Sequence, residues 1–317
     1  MTNNITSVNT RGRFITGAKS SGVALFRWAL IIGVSYVILN PLIGIAVNAF
    51  FSNEDKFNPM VYLIPQYPTL ERFTVAIKTM DYWNVLPRNI LYVIALALIQ
   101  VFVCSLVGYG FARFEFPLKR LLFACLILMI VLPNHTIMLP LYMFFQSFDP
   151  LGIVSRIRGV PINLLSSPIP MFIMTALGSG LRSGLYIYIF TQFFRGLPKE
   201  IEEAAEIDGA GAFYTYFRVM LPNAIPSALT VFIFSTVWQF NDKFFAQLFS
   251  ISPRIVLSKM LSGLQATVSS QMDLRDPSLT TLYLYAGVVL TIVPLLVTYI
   301  VLQRQFIEGV ERSGIVG

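Results

Sequence analysis

The sequence predicts an all-α, polytopic membrane protein with six transmembrane helices. Of its 317 residues, 56% are hydrophobic and only 12% are charged, which is unusual for a soluble domain. The apolar residues form long blocks, and a helix of about 20 apolar residues can cross a hydrocarbon core of about 30 Å. Both cysteines, Cys104 and Cys125, lie inside such blocks, so we expect them to pack as apolar side chains rather than bind metal or form a disulfide.

Six apolar blocks account for the predicted spans. The first is preceded by basic residues and interrupted at Pro41, which favours a kink. The second is followed by a short basic turn from Arg113 to Arg120, which is typical of a cytosolic loop. The predicted boundaries are 28–51, 90–111, 121–145, 169–194, 225–249 and 279–302.

Both chain ends are predicted to lie on the same side of the membrane, since six spans return the chain to its starting side. The residues up to about Gly22 are polar and are expected to form a loose tail. Residues 250–278 are expected to form a polar outer loop before the last span. The divisions are a tail over 1–27, a transmembrane domain over 28–302 with an extracytoplasmic loop at 52–89 and a cytosolic loop at 195–222, and a tail over 303–317.

Polar side chains in the fourth and fifth spans are candidates for a transport pathway or a buried ion pair. Arg182 would lie about 18 Å from the inner end of span four, at about 1.5 Å per residue, and a charge at that depth needs a partner or a wet cavity. Asp242, about 25 Å along span five, could pair with Arg182 or with Lys243. Direct contact of Arg182 with substrate is the other interpretation. Trp238 and Asn241 lie close to Asp242 in the sequence.

His135 lies between Pro133 and Pro140 in span three. A lone histidine in a membrane could belong to a proton relay. Because no acidic partner or metal-ligand set lies nearby in the sequence, a hydrogen-bonded histidine at a broken helix is the favoured interpretation.

The stretch from Leu197 to Pro222 is a charged, helix-prone island between apolar blocks. Pro198 suits the first position of a helix, where its missing N–H costs nothing, and the glutamates that follow favour the positive helix end. Gly209 permits a left-handed turn that stops this helix. A second short helix is predicted over about 212–220, ended by Pro222. The sequence therefore predicts a two-helix hairpin outside the hydrocarbon.

The spacing of residues in this island resembles the EAA loop of ABC importer permeases. The family pattern is Glu-Ala-Ala, three residues, Gly, nine residues, an aliphatic residue, one residue and Leu-Pro, and only Val219 departs from the usual Ile. Residues 192–198 and 207–210 look like the carbohydrate, maltose-type branch, and Trp-x-x-Asn-Asp at 238–242 resembles the outer part of its fifth helix. The matching residues are Glu203, Ala204, Ala205, Gly209, Val219, Leu221 and Pro222.

This resemblance implies the permease fold of type I ABC importers and a set of partners. The partners are a second related permease, two ATPase subunits, an extracytoplasmic solute-binding protein and membrane lipid. ATP and Mg²⁺ would be bound by the ATPase subunits, with no cofactor in this chain. The location implied is the bacterial plasma (inner) membrane, with several passes and both termini cytosolic.

The resemblance also implies roles for single residues. Glu203 would make a charged contact with the ATPase, Ala204 and Ala205 would allow close approach, and Gly209 would make the turn. The outer loop at 250–278 would reach toward the solute-binding protein. The end of the chain, Ser-Gly-Ile-Val-Gly, resembles a terminus that can touch the ATPase pair.

Several function classes are weighed against this one. The phosphate-binding pattern Gly-x-x-x-x-Gly-Lys-Ser/Thr does not occur, so the chain is not expected to hydrolyse ATP itself. The net charge of +7 is spread beside apolar blocks, which favours anionic lipid over nucleic acid as its partner. The alternatives are a permease for a non-carbohydrate solute, an ion-coupled carrier or channel, and a membrane-embedded enzyme. If Arg182 faces the cavity, it would favour acidic saccharides such as uronate oligomers.

Overall fold

A computed structural model describes residues 9–314, with side chains described for residues 23–301 and 303. Within that range all regular elements are helical, apart from one isolated bridge between Phe148 and Ile162, so the all-α prediction is confirmed. The α-helices are α1 (Asn9–Asn48), α2 (Asn53–Phe57), α3 (Glu71–Thr79), α4 (Tyr82–Arg113), α5 (Lys119–Val131), α6 (Met138–Gln146), α7 (Ile153–Arg158), α8 (Ile169–Ala176), α9 (Ser183–Gly196), α10 (Glu200–Ile207), α11 (Ala212–Thr215), α12 (Leu221–Asn223), α13 (Ile225–Phe240), α14 (Phe244–Leu248), α15 (Leu257–Met272) and α16 (Pro277–Gly314).

Three helices are long and apolar enough to cross a membrane by themselves. They are Val23–Asn48 within α1, Tyr82–Arg113, and Pro277–Val301 within α16. Two further candidates are bent helix pairs, α5 with Asn134–Gln146 at 104° and Ala212–Asn223 with α13 at 75°. The described residues therefore hold three spans, or five if each bent pair is one span, and the count of six stays a prediction.

The two chain ends are more helical than predicted. Residues 9–22 continue α1 without a break, although the sequence predicts a loose tail there. Once the apolar part of a helix has formed, adding residues to its end is favourable compared with nucleation, and no proline precedes Pro41. At the other end α16 continues to Gly314 through most of the predicted C-terminal tail. Residues 1–8 and 315–317 lie outside the described range.

The second span begins before its predicted start. Residues 82–89 are helical, so the predicted outer loop ends earlier than Asn89, and Pro87 lies inside the helix. Pro87 removes only one backbone N–H close to the start of the helix. Burial of Tyr82 compensates, and its hydroxyl donates a hydrogen bond of 2.9 Å to the Leu290 carbonyl on α16.

The fourth predicted span is two helices rather than one. Residues 177–182 separate α8 from α9, and Gly178 and Arg182 both adopt left-handed backbone conformations, with φ of 70° and 61°. Such a conformation is easy for glycine but disfavours a helix through any other residue. The predicted continuous helix over 169–194 is therefore wrong at this break.

The fifth predicted span also ends early, at Phe240 rather than near Phe249. Asp242 accepts a hydrogen bond of 3.2 Å from the backbone N–H of Phe245 and so begins the separate helix α14. A short polar side chain in this position satisfies an N–H that has no partner inside the new helix.

Helix α4 is the centre of the bundle and packs against α8, α9 and α13. Its first half belongs to an apolar cluster that also includes α3, α15 and α16. Its second half belongs to another cluster, with α9 and the start of α13. Between the two lies Gln100, which is fully buried.

Close packing of α4 against α9 depends on Gly108. A Cβ added there would lie 2.6 Å from the Cβ of Phe190 and 3.0 Å from the backbone nitrogen of Thr191. Two helices can approach this closely only where one of them carries a very small residue. Gly110, two residues further along and on the opposite face of the helix, has nothing within 4 Å of an added Cβ.

We predict that Gly108→Ala destabilises the bundle and that Gly110→Ala does not. Overpacking costs about 1–3 kcal/mol, whereas alanine gains up to about 1 kcal/mol over glycine from helix propensity alone. Thermal unfolding of the detergent-solubilised chain measures both effects. A melting temperature for Gly108→Ala equal to that of Gly110→Ala would contradict the close contact.

Candidate functional site

The EAA loop forms a compact hairpin at the end of α4 that carries Arg113. Its first helix is α10, with three glutamates in the first turn, where the helix dipole favours negative charge. Gly209 turns the chain with φ of 82°, and the N–H of Ala210 closes the turn by donating to the Ala205 carbonyl at 2.9 Å. The predicted helix and glycine turn are therefore both present.

The second half of the hairpin differs from prediction. After α11 the chain makes a π-helical turn over Tyr216–Met220 and continues through Pro222 in α12 before bending into α13. Pro222 does not end the helix because it occupies an early position of α12, where a missing N–H is tolerated. Leu221 is half-buried against the second apolar cluster, and Pro222 is exposed.

The residues of α10 divide between an inner and an outer face. Ala205 is buried and Ile201 is half-buried against the second apolar cluster. Glu203, Ala204 and Asp208 are exposed. The sequence predicts that Ala204 and Ala205 share one accessible face, but in the isolated chain Ala205 packs inward and only Ala204 is on the surface.

Large apolar side chains stand out from the tip of this hairpin. Ile207, Phe213 and Tyr214 are 86%, 73% and 60% exposed. Tyr214 also lines a shallow concavity, together with Asp208 and Arg218. An exposed apolar group of this kind beside charges is typical of a surface that another protein covers.

An ion pair between α4 and α10 fixes the hairpin to the bundle. Arg113 Nε lies 2.9 Å from Glu202 Oε2, and the two side chains are only 7% and 14% exposed. Arg113 Nη2 also donates to the Leu197 carbonyl at 2.9 Å. This pair is not among the predictions from the sequence, because Arg113 and Glu202 are far apart in the chain. The role of Glu203 in a contact with the ATPase is a separate prediction.

Arg182 lies far from this hairpin, at the break before α9. Its guanidinium carbon is 4.3 Å from the centre of the Trp238 ring, a cation–π distance. Among the described residues no ion pair within 4.0 Å joins Arg182 to Asp242, or Asp242 to Lys243. The ion pair considered for Arg182 is therefore not formed, since Asp242 caps α14 instead.

The remaining polar candidates have local partners. Asn241 donates to the Val237 carbonyl at 2.9 Å. His135 makes an edge-on contact with the Phe244 ring, with centroids 4.6 Å apart. Within the described part of the chain no group of three or more His, Cys, Asp or Glu residues could hold a metal ion. Cys104 and Cys125 are both free thiols.

The fold and these sites define a helical membrane protein with an exposed hairpin that an ion pair joins to its central helix. The chain belongs to the family described as the binding-protein-dependent transport system inner membrane component, whose model matches residues 104–310. It is thus a permease of an ABC importer.

Individual relatives cover most of the chain. The arabinooligosaccharides transport system permease protein AraQ of Halalkalibacterium halodurans is 26% identical over 304 residues, covering 92% of this chain and 98% of that protein. A crystal structure of a bacterial ABC transporter for the acidic polysaccharide alginate matches with a TM-score of 0.63 at 16% identity, covering 96% of this chain and 100% of that one. The alginate transporter with its pentasaccharide-bound periplasmic protein matches with a TM-score of 0.56 at 16% identity, covering 90% and 96%. At this identity the two structures support the fold alone.

We predict that Gly209→Val abolishes most transport and that Gly211→Val is tolerated. An added Cβ finds open space at both positions, but φ is 82° at Gly209 and −74° at Gly211. A left-handed conformation costs a residue with a side chain about 1–2 kcal/mol, so only Gly209→Val should distort the turn. Uptake in proteoliposomes measures the effect, with membrane content as the control. Normal uptake by Gly209→Val would contradict the role of this turn.

We also predict energetic coupling between Arg113 and Glu202. Arg113→Gln and Glu202→Gln each leave one charge unpaired, while the double variant removes both charges. The double variant should therefore be more stable than the two single losses imply, with a coupling of about 0.5–3 kcal/mol. Thermal unfolding of the four proteins measures it, and Glu203→Gln is the control on an exposed neighbour. Strictly additive losses would show that the pair contributes nothing.

Proposed function

We propose that this permease forms one half of the translocation pathway for an oligosaccharide or another carbohydrate. The saccharide name carried by its relative AraQ supports this substrate class, together with the residues at 192–198 and 207–210 that resemble the maltose-type branch. A second, related permease supplies the other half. A non-carbohydrate solute is the alternative for the same architecture.

The EAA loop is the docking element for an ATPase subunit in this proposal. The observation that carries it is the exposed apolar tip formed by Ile207, Phe213 and Tyr214, which would enter a cleft of the ATPase and be covered there. Glu203 makes a charged contact, and Ala204 permits close approach because its side chain is small. ATP and Mg²⁺ are bound by the two ATPase subunits, which do the hydrolysis.

Docking of the ATPase sets the orientation in the membrane. The hairpin and both termini then lie in the cytosol of a bacterium, and the chain crosses the inner membrane. The opposite end of the bundle carries α3 and α15, which pack on α16. The loop that contains α15 is the proposed contact for an extracytoplasmic solute-binding protein.

Transport follows from rigid-body motion. Closure of the ATPase pair on ATP would displace α10, and α10 is tied to α4 by Arg113 and continues into α13 through α12. Since α4, α9 and α13 pack together, they would rock as a unit between inward-open and outward-open states.

An ion-coupled carrier is the competing function class. It needs a chain of ionisable groups through the membrane. Among the described hydrogen bonds and ion pairs, none joins His135, Arg182 and Asp242 to one another, and each has the separate contact given above. The observations therefore favour the ATP-driven importer.

We predict that the tagged chain purifies in mild detergent with a second permease and an ATPase, identified by mass spectrometry. Removing the apolar tip with the double variant Ile207→Ser/Phe213→Ser should release the ATPase while keeping the second permease. The matched control Leu151→Ser/Ile157→Ser removes exposed apolar groups at 92% and 79% exposure from another loop. A chain that purifies alone and transports solute without ATP would overturn the proposal.

A further inference from the structure

A buried polar network stabilises the interruption between α8 and α9, the two helices of the fourth predicted span. Gln100 on α4 donates from Nε2 to the Leu181 carbonyl at 2.7 Å and to Ser183 Oγ at 2.8 Å. Its Oε1 accepts from Ser235 Oγ at 2.6 Å, so α13 joins the same network. A backbone carbonyl freed by a helix break inside a membrane needs such a donor. The break is therefore a built feature of the fold.

Arg182 lies in the sequence between Leu181 and Ser183, the two residues to which Gln100 donates. Its φ of 61° is left-handed, which costs a non-glycine residue about 1–2 kcal/mol. The surrounding contacts hold the conformation in place, and strain that a structure maintains in this way is frequent at functional sites.

The guanidinium of Arg182 lies over the indole of Trp238 instead of pairing with a carboxylate. Contact with the ring face fixes the plane of the guanidinium and leaves its N–H edges available for a planar anion. Arg182 is exposed in this chain, and the ion pairs among the described residues do not include it. At the depth predicted for Arg182, a charge without an anionic partner would be costly, so we expect an anion from outside the chain.

A cavity lies beside this arginine where the breaks of the third and fourth spans meet. It has a volume of about 210 Å³ and lies where α9 begins, about 21 Å from the far end of that helix. Polar lining comes from Asn134, Ser179, Ser183 and Arg182, and apolar lining includes Phe245. The cavity therefore combines one cation with neutral hydrogen-bonding groups, which suits a polar ligand with one acidic group.

We infer that Arg182, held over Trp238 and aligned by Gln100, binds the carboxylate of an acidic saccharide during transport. This inference rests on the proposed carbohydrate function and specifies its substrate class. A guanidinium binds a carboxylate with two parallel hydrogen bonds, whereas the hydroxymethyl group of a neutral sugar offers no charge. Trp238 and Gln100 are positioning residues, since they act through Arg182.

The test is equilibrium binding of labelled saccharides to the permease–ATPase complex in lipid nanodiscs, without the solute-binding protein. The probes are oligomers of galacturonate, glucuronate and mannuronate, each paired with its carboxyl-reduced neutral counterpart. We expect the complex to prefer at least one acidic oligomer, and Arg182→Gln to weaken its binding roughly 10- to 100-fold. Arg182→Lys should restore part of the preference. The neutral counterparts should bind equally to the parent and to Arg182→Gln.

Three further variants separate positioning from folding. Arg158→Gln removes the same charge from an exposed loop and should change nothing. Trp238→Phe keeps an aromatic ring and should lose less affinity for the acidic probes than Trp238→Leu. If Trp238 had a purely structural role, the neutral probes would show the same difference.

The outcomes are distinguishable. Equal binding of acidic and neutral oligomers, or a preference that survives Arg182→Gln, overturns the inference and leaves the carbohydrate function in place. Loss of the second permease from the Arg182→Gln complex also overturns it, because Arg182 would then bind a carboxylate of that subunit. If no saccharide binds and a different class of solute is transported, the proposed substrate class itself fails.

Discussion

The hydrogen bonds of Gln100 are the interaction on which the rest of this structure depends. One fully buried amide joins α4 to the fourth-span break, to the start of α9 and to α13, at the level where the two apolar clusters separate. In a membrane the apolar side chains of a bundle gain little by leaving lipid for protein, so directional contacts and close packing determine how helices associate. Gln100 supplies directional contacts, and Gly108, a little further along α4, permits close packing.

Helix α4 consequently links the ends of the bundle. Gln100 and Arg113 lie thirteen positions apart on the same helix, or about 20 Å, with the helix unbroken between them. In the proposed mechanism, a displacement of α10 would reach α4 through the short, largely buried contact between Arg113 and Glu202. The same continuous helix would carry it to the break beside Arg182. The hairpin and the cavity would then be linked by one helix, without a special pathway of side chains between them.

The sequence predicts some of this architecture well and some of it poorly, for physical reasons. The apolar blocks predict membrane spans because burial in lipid depends on adjacent apolar residues. The turn at Gly209 is predictable for a similar reason, since a left-handed turn depends on a few neighbouring residues. The early start of α4 and the inward face of Ala205 depend on packing against residues distant in the chain. The contact between Arg113 and Glu202 joins segments far apart in the chain, so residue types alone could not choose between Glu202 and Glu203.

The predicted position of Asp242 is wrong because a helix break precedes it, and such breaks determine which partners the polar side chains find. Counting along a straight helix at about 1.5 Å per residue sets Asp242 opposite Arg182, but the helix stops at Phe240, and the carboxylate caps α14. Each break exposes backbone groups that must find new partners, and Gln100 and Asp242 are both used for that purpose. Arg182 and Lys243 are charged groups at such breaks for which the described ion pairs provide no anion. Of the two, Arg182 is held over an aromatic ring beside a cavity. A side chain that the fold aligns but does not neutralise is suited to contact with a transported molecule.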